Sequence, residues 1–101
     1  MTVSTAPGES LAFVPAGITA PARTPVRLTF HNASAIAHNL VFTTGIDAAT
    51  ETIVDPGASE TLSIGPLADG KYRFVCTIHE EMMGELAVGS AARRTGMTQI
   101  G

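Results

Sequence analysis

Short segments in which apolar and polar residues alternate, separated by stretches with glycine, proline, threonine and serine, extend through the sequence to about residue 88. No window keeps the 3.6-residue repeat of an amphipathic helix. Alternation is typical of strands, because successive side chains of a strand point to opposite faces of a sheet. With 10 glycines and 6 prolines to supply turns, this pattern predicts an all-β protein.

Two segments alternate most clearly, residues 26–31 and residues 71–76. We expect further strands at residues 9–14, 38–42, 60–64 and 84–88. The segment 16–25 holds Gly17, Pro21 and Pro25 and is interpreted as a connection, with Ile18 reaching the core. About seven or eight strands with frequent turns predict a Greek-key β-sandwich.

A length of 101 residues fits one domain. We assign residues 1–88 to that domain and residues 89–101, where the alternation ends, to a C-terminal tail. Met97 lies in this tail and is interpreted as part of its composition and not as a ligand.

The charge pattern excludes some classes of partner. The net charge is −3, and the basic residues do not cluster, so duplex nucleic acid is not an expected partner. No apolar run reaches the length of a membrane span, and the first residues lack the pattern of a signal peptide. Residues 1–88 hold 4 bases and 9 acids, a balance of −5, which weakly favours a basic partner surface.

The chain has a single cysteine, Cys76, so it forms no internal disulfide. A lone cysteine can fill the core, act as a nucleophile, link two chains or bind a metal. Core filling is the ordinary role of a free cysteine, so its neighbours in the sequence have to decide.

Those neighbours are metal-binding side chains. His79, Met82 and Met83 follow Cys76 closely, and His38 occupies the core-facing side of a distant predicted strand. A thiolate, two imidazoles and a weak thioether form the donor set that selects copper over hard cations. The spacing Cys-x-x-His alone is a weak signal, since zinc sites contain it too.

Several motifs together resemble the cupredoxins, the small blue-copper proteins that include plastocyanin and amicyanin. They are the pair His38-Asn39, the turn Asp55-Pro56-Gly57 before a strand, and the run from Leu67 to Cys76. The order Cys76, His79, Met82, Gly84 is similar to the short ligand loop of the amicyanin branch. The resemblance covers the chain to about Val88 and implies the cupredoxin fold with one type 1 copper ion as cofactor. The metal ligands it implies are His38, Cys76, His79 and Met82.

The axial methionine has two candidates. Met82 keeps the family spacing to Gly84 and shares the core-facing parity of Leu86, whereas Met83 shares the outward parity of Glu85. Met83 is the alternative because other cupredoxins place methionine four residues after the histidine. The chain departs from the amicyanin loop in having Ile78 and the acidic residues 80–81 where that loop has prolines and an aromatic residue.

The resemblance implies a single-electron carrier and not an enzyme. Redox partner proteins would dock near His79, and we expect a monomer in the periplasm or another extracytoplasmic space. One alternative is the electron-transfer domain of a larger copper oxidase or reductase, although the chain has only 3 histidines for a second copper centre. A copper carrier is the other.

Three further residues have predicted roles. Asn39 is expected to hydrogen-bond the facing loop near Thr77 and keep the two ligand segments in register. Tyr72 is expected to be a core or corner tyrosine of the sandwich. His31 lies on the outward parity of its strand and is interpreted as a surface histidine.

Overall fold

The strand Val26–His31 shows how the sequence builds the sandwich. In the computed structural model, which describes residues 1–79 and 81–91, its side chains alternate between core and surface. Val26, Leu28 and Phe30 are buried, while Arg27 is exposed. Such a period-two pattern buries one face of a sheet and leaves the other in water.

The described part of the chain forms eight strands: β1 (Thr2–Thr5), β2 (Phe13–Val14), β3 (Gly17–Ala20), β4 (Val26–His31), β5 (Val41–Phe42), β6 (Ser59–Ile64), β7 (Gly70–Val75) and β8 (Met83–Val88). One sheet has the order β2-β1-β4-β6 and the other β3-β8-β7-β5. The predicted β-sandwich is thus confirmed. The chain changes sheet repeatedly, because β3 and β5 belong to the second sheet while β4 and β6 belong to the first.

The core lies between the two sheets and is centred on aromatic rings. Phe13 meets Phe30 and Phe74 edge to face, with ring centroids 6.1 Å and 5.1 Å apart. Phe42 also packs edge to face against Phe74, with ring centroids 5.5 Å apart. Rings from both sheets therefore interlock, an arrangement that adds to the burial of apolar area. Cys76 and Met82 belong to the same buried cluster, so the core extends to the predicted metal ligands.

Two strands lie where the sequence predicted none. Thr2–Thr5 forms β1 and pairs in parallel with β4. Gly17–Ala20 forms β3 and pairs in parallel with β8, so the interpretation of residues 16–25 as a connection was wrong over that stretch. Ile18 is buried as expected. Both strands are short and are stabilised by a partner distant in sequence, which a local pattern does not reveal.

Two other predicted strands are shorter than expected. Only Phe13 and Val14 of residues 9–14 form a strand, and only Val41 and Phe42 of residues 38–42. His38 makes an isolated bridge with Val54 instead. The Leu40 amide donates to the Thr50 hydroxyl at 3.0 Å, so a side chain replaces the strand partner there.

The end of the described chain packs on the sandwich. The Gly89 amide donates to the Ala20 carbonyl at 3.0 Å, and the Ser90 hydroxyl to an Asp69 carboxylate oxygen at 2.7 Å. Ala91 is buried. The remainder of the predicted tail, residues 92–101 with Met97, lies outside the described residues, and the domain boundary at residue 88 stays a prediction. Among residues 1–79 and 81–91 no helix is long and apolar enough to cross a membrane.

Candidate metal centre

His38 reaches the centre from the loop that follows β4. Its backbone pairs with Val54 through two hydrogen bonds, from the His38 amide to the Val54 carbonyl at 3.3 Å and from the Val54 amide to the His38 carbonyl at 2.9 Å. The His38 side chain is fully buried. The two backbone bonds fix the main chain of His38, and burial of the ring restricts its rotation.

Cys76, His79 and Met82 share one short loop between β7 and β8. The Cys76 amide donates to the Met82 carbonyl at 3.1 Å, and the Met82 amide donates to the His79 carbonyl at 3.0 Å. These two bonds close the loop on itself. The three side chains therefore project from a turn of defined shape, which begins where β7 ends.

The ligand atoms of the two segments converge. The Cys76 Sγ atom lies 3.7 Å from His38 Nδ1 and 3.9 Å from His79 Nδ1. The three ligand atoms all lie within 4.8 Å of one another, and the two imidazole centroids are 4.8 Å apart. The structure thus brings together three of the four predicted ligands.

The two sulfur–nitrogen separations suit a shared metal ion. With the bond lengths of zinc, about 2.3 Å to a thiolate and about 2.0 Å to an imidazole nitrogen, and an angle of about 120° between the two bonds, sulfur and nitrogen would lie about 3.7 Å apart. The observed distances of 3.7 Å and 3.9 Å agree with that value. A thiolate with two imidazoles is also the donor set that copper prefers, so the residues present fit the ion.

The two candidate axial methionines differ sharply in burial. Met82 is 0% exposed and belongs to the core cluster, whereas Met83 is 53% exposed. This is the difference that the parity of β8 predicted. Because a ligand of a buried centre has to point inward, the burial favours Met82.

Protonation also suits metal binding at His38. Burial, and in second place the nearby His79 imidazole, lower the pKa of His38 below its usual value. A neutral imidazole has a free lone pair for a metal. His38 Nε2 has no hydrogen-bond partner among the described residues, while Nδ1 faces the Cys76 sulfur. Because Nδ1 is the nitrogen that lies beside the sulfur, it is the one placed to bind an ion together with Cys76.

Asn39 connects the two ligand segments. Its Oδ1 atom accepts from the Thr77 amide at 2.8 Å, and its Nδ2 atom donates to the Thr77 hydroxyl at 2.8 Å and to the Thr52 carbonyl at 3.0 Å. The predicted bond to the facing loop is thus confirmed. Because Asn39 follows His38 and Thr77 follows Cys76, this clamp holds the two ligands in register.

The other two predicted side chains lie away from the centre. His31 ends β4, is half-buried, and its Nδ1 atom lies 2.7 Å from the Ser59 hydroxyl. It does not belong to the cluster of ligand atoms. Tyr72 donates to the Ala68 carbonyl at 2.8 Å, which is the bond of a corner tyrosine.

One buried polar residue near the centre escaped the sequence analysis. Asn32, fully buried, hydrogen-bonds Thr5, Ser34 and the carbonyls of Ile36 and Val54. The available signal was an asparagine at a strand end with serine two residues later, a pair that bonds locally in turns.

The model of the cupredoxin-like domain family matches residues 6–88. These residues contain all four predicted ligands and every strand of both sheets except β1. A comparison with curated protein sequences gave no significant match.

Solved structures give the same fold. Dithionite-reduced auracyanin from the photosynthetic bacterium Roseiflexus castenholzii is 27% identical, with 87% of this chain and 94% of that chain covered and a TM-score of 0.76. Auracyanin A from Chloroflexus aurantiacus, described as a "blue" copper protein, is 19% identical, with 88% and 97% covered and a TM-score of 0.75. A reduced Cu(I) form of an amicyanin variant is 22% identical, with 87% and 80% covered and a TM-score of 0.67.

Proposed function

We propose, because the chain belongs to the cupredoxin-like domain family, that it binds one copper ion and carries single electrons between partner proteins. The observation that carries this proposal is the convergence of His38 Nδ1 and His79 Nδ1 on the Cys76 sulfur, at 3.7 Å and 3.9 Å. The residues that would hold the ion are these three and Met82. Bound copper would supply a one-electron couple between its Cu(II) and Cu(I) states.

The donor set favours copper over zinc. Structural zinc sites close their tetrahedron with four strong ligands, cysteine thiolates and histidine imidazoles. Here the fourth candidate is a thioether, a soft and weak ligand of the kind found in blue-copper sites. Among the described residues no further histidine, cysteine or carboxylate joins the three.

The protein's part in electron transfer is to keep its own side chains still. Cys76 and His38 are fully buried, so water cannot reorganise around them when the charge of the centre changes. The Asn39 clamp and the two backbone bonds of the 76–82 loop hold the ligands at fixed separations. A centre that keeps its geometry in both redox states transfers electrons with little reorganisation.

His79 is the proposed exit for the electron. It is half-buried, while the other two ligands of the trigonal set are fully buried. Ile78 beside it is 40% exposed, and Ala35 is exposed with Ile36 and Ala37 half-buried. Redox partner proteins would dock on this mixed apolar surface, where the centre lies nearest to the solvent.

We further propose, from the family resemblance, that the protein works as a monomer in the periplasm or another extracytoplasmic space. Purified protein in size-exclusion chromatography with light scattering checks the first statement, and a mass of about two chains would contradict it. Cell fractionation of the source organism with an antibody checks the second.

The decisive experiment is the addition of Cu(II) to metal-free protein. One equivalent should produce an intense blue absorption, which comes from transfer of thiolate charge to copper. The variant Cys76→Ser should bind without that colour, because it lacks the thiolate. A colourless complex of the unchanged protein would contradict the electron carrier and favour a copper carrier. A second bound equivalent would favour a domain of a copper enzyme.

A further inference from the structure

Asn32 occupies a polar site inside the sandwich, close to the loop that presents His38. It follows β4 directly and is 0% exposed. Its Nδ2 atom donates to the Ile36 carbonyl at 2.9 Å and to the Val54 carbonyl at 2.8 Å. Its Oδ1 atom accepts from the Ser34 amide at 3.0 Å and from the Thr5 hydroxyl at 3.1 Å. Both ends of the amide are therefore satisfied.

The surroundings permit only one orientation of the Asn32 amide. Two carbonyl oxygens face its nitrogen, and an amide and two hydroxyls face its oxygen. Rotating the amide by half a turn would set its oxygen against the carbonyls of Ile36 and Val54, with no hydrogen between them. A buried group in that state would lose its hydrogen bonds without gaining water.

The side-chain amide of Asn32 and the backbone amide of His38 donate to the same acceptor atom. The Val54 carbonyl oxygen accepts both from Asn32 Nδ2, at 2.8 Å, and from the His38 amide, at 3.3 Å. The second Nδ2 bond holds the carbonyl of Ile36, two residues before His38. Asn32 thus holds the backbone just before His38 and also Val54, the residue that bridges to His38.

Asn32 is itself anchored to a third segment. Its backbone amide donates to the Ala58 carbonyl at 2.9 Å, and its backbone carbonyl accepts from the Gly57 amide at 2.7 Å. Both partners belong to the turn that leads into β6. Asn32 therefore connects the backbone around His38 to the first sheet, whereas Asn39 connects it to the Cys76 loop.

We infer that Asn32 is a positioning residue of the metal centre, which sets the placement of the His38 imidazole before any ion binds. The inference rests on the proposed function for its metal, and on the described contacts for its geometry. Asn32 touches none of the ligand side chains in these contacts and acts through the backbone of residues 36–38 and 54. Outer residues that orient a ligand in this way typically change metal affinity by about 10-fold to 100-fold.

The test compares variants of Asn32 with control variants, substituted elsewhere, that lose a similar amount of stability. Asn32→Asp keeps the shape and the acceptor oxygen but turns both donor bonds into contacts between oxygens, and Asn32→Ala removes the group. Ser34→Ala is the milder change, since the Ser34 hydroxyl lies 2.8 Å from the same Ile36 carbonyl. It keeps the inference testable if the Asn32 variants do not fold.

Two controls separate positioning from general stability. Val26→Ala removes buried volume at the other end of β4, about 20 Å along the strand at 3.3 Å per residue. Thr61→Val removes the exposed hydrogen bond between Thr29 and Thr61, 2.9 Å long, on the outer face of the same sheet. Unfolding in urea ranks all variants by stability, so that each Asn32 or Ser34 variant is compared with a control of similar loss.

Two readouts are needed. The first is the ring signals of His38 in metal-free protein, observed by nitrogen-15 NMR. The second is Cu(II) affinity in competition with a chelator, together with the position of the blue absorption. We expect Asn32→Ala and Asn32→Asp to shift or broaden the His38 signals and to weaken copper binding at least 10-fold. Ser34→Ala should change both in the same direction, and the controls should change neither.

Unchanged His38 signals and unchanged copper affinity in the Asn32 and Ser34 variants would overturn the inference. Failure of the unchanged protein to bind copper would contradict the proposed function instead. The His38 signals of the metal-free variants would then still decide whether Asn32 positions that ring.

Discussion

Adjacent residues have opposite surroundings at the end of the 76–82 loop. Met82 is 0% exposed and Met83 is 53% exposed, because β8 begins there and alternates between core and solvent. The same contrast holds between Cys76, fully buried, and Thr77, which is exposed but bonded to Asn39. In the second pair, Cys76 would bind the proposed ion, whereas Thr77 bonds the Asn39 side chain that joins the two ligand segments.

Substituting each methionine tests the axial ligand. Met82→Leu should keep the blue colour and raise the reduction potential, because the loss of a sulfur donor disfavours the oxidised ion. We expect the potential to rise by at least about 59 mV, which corresponds to a tenfold change in a one-electron equilibrium constant. Met83→Leu, one residue away and exposed, is the matched control. Voltammetry of both variants decides, and a rise with Met83→Leu alone would show that Met83 is the ligand.

Removal of the Asn39 clamp should weaken both the fold and the centre. Asn39→Ala leaves the Thr77 amide and the Thr52 carbonyl without their partner, a loss of about 1–3 kcal/mol in the free energy of unfolding. Copper affinity should fall by about 10-fold to 100-fold. Urea denaturation and chelator competition measure the two effects. Thr24→Ala, which removes an exposed bond to the Ala22 carbonyl, should change stability by less than about 0.5 kcal/mol.

The close packing of strand β8 against its neighbours depends on a glycine. Strand β8 lies beside β7 with Gly84 opposite Phe74, and also beside β3. A methyl group at residue 84 would collide with the Phe74 ring and would lie 2.8 Å from the Ala16 carbonyl oxygen. The absence of a side chain there lets β8 start directly after Met82 and still cover the central aromatic ring.

Alanine at residue 84 should therefore be costly. Gly84→Ala should lower the free energy of unfolding by about 1–3 kcal/mol, the usual range for overpacking a core. Gly65→Ala is the control, since a methyl group at residue 65 meets nothing within 4 Å. Thermal unfolding of both variants measures the difference. Equal melting temperatures would mean that Phe74 moves aside without loss.

Most of the core of the whole molecule is built from residues outside the metal centre. Apolar side chains of both sheets pack around Phe30 and Phe74, at positions spread over β1 to β8. The ligands occupy only one loop and one bridge residue. The ion would therefore bind to a formed site, in contrast to small zinc domains that are unfolded without metal.

Metal-free protein should thus be folded and unfold cooperatively, as circular dichroism on heating would show. Copper should add stability by mass action, about 4.1 kcal/mol at a free concentration 1,000 times the dissociation constant. For a chain of this size that is a rise in melting temperature of about 16–33 °C, at about 4–8 °C per kcal/mol. Cys76→Ser should remain folded and show a much smaller rise. A random-coil spectrum of the metal-free protein would contradict this account.

The alternation of β4, β6, β7 and β8 was readable from the sequence, because each of these strands is six residues long and shows its period by itself. The order of Cys76, His79 and Met82 was equally readable, since a loop places its own residues close together. The inward orientation of Met82 followed from the parity of the strand that begins after it. These features depend on neighbours in the chain, so local pattern was sufficient.

The tertiary structure alone decided the rest. Strands β1 and β3 exist because β4 and β8 lie beside them in parallel, and no local pattern announces a parallel partner. The short distance in space between His38 and Cys76, which lie 38 residues apart in the sequence, depends on both sheets. The role of Asn32 depends on carbonyls of two other segments. Contacts between residues distant in sequence set all these features. For Asn32 the reason is that a buried polar group needs hydrogen-bond partners, and the fold decides which groups lie within reach.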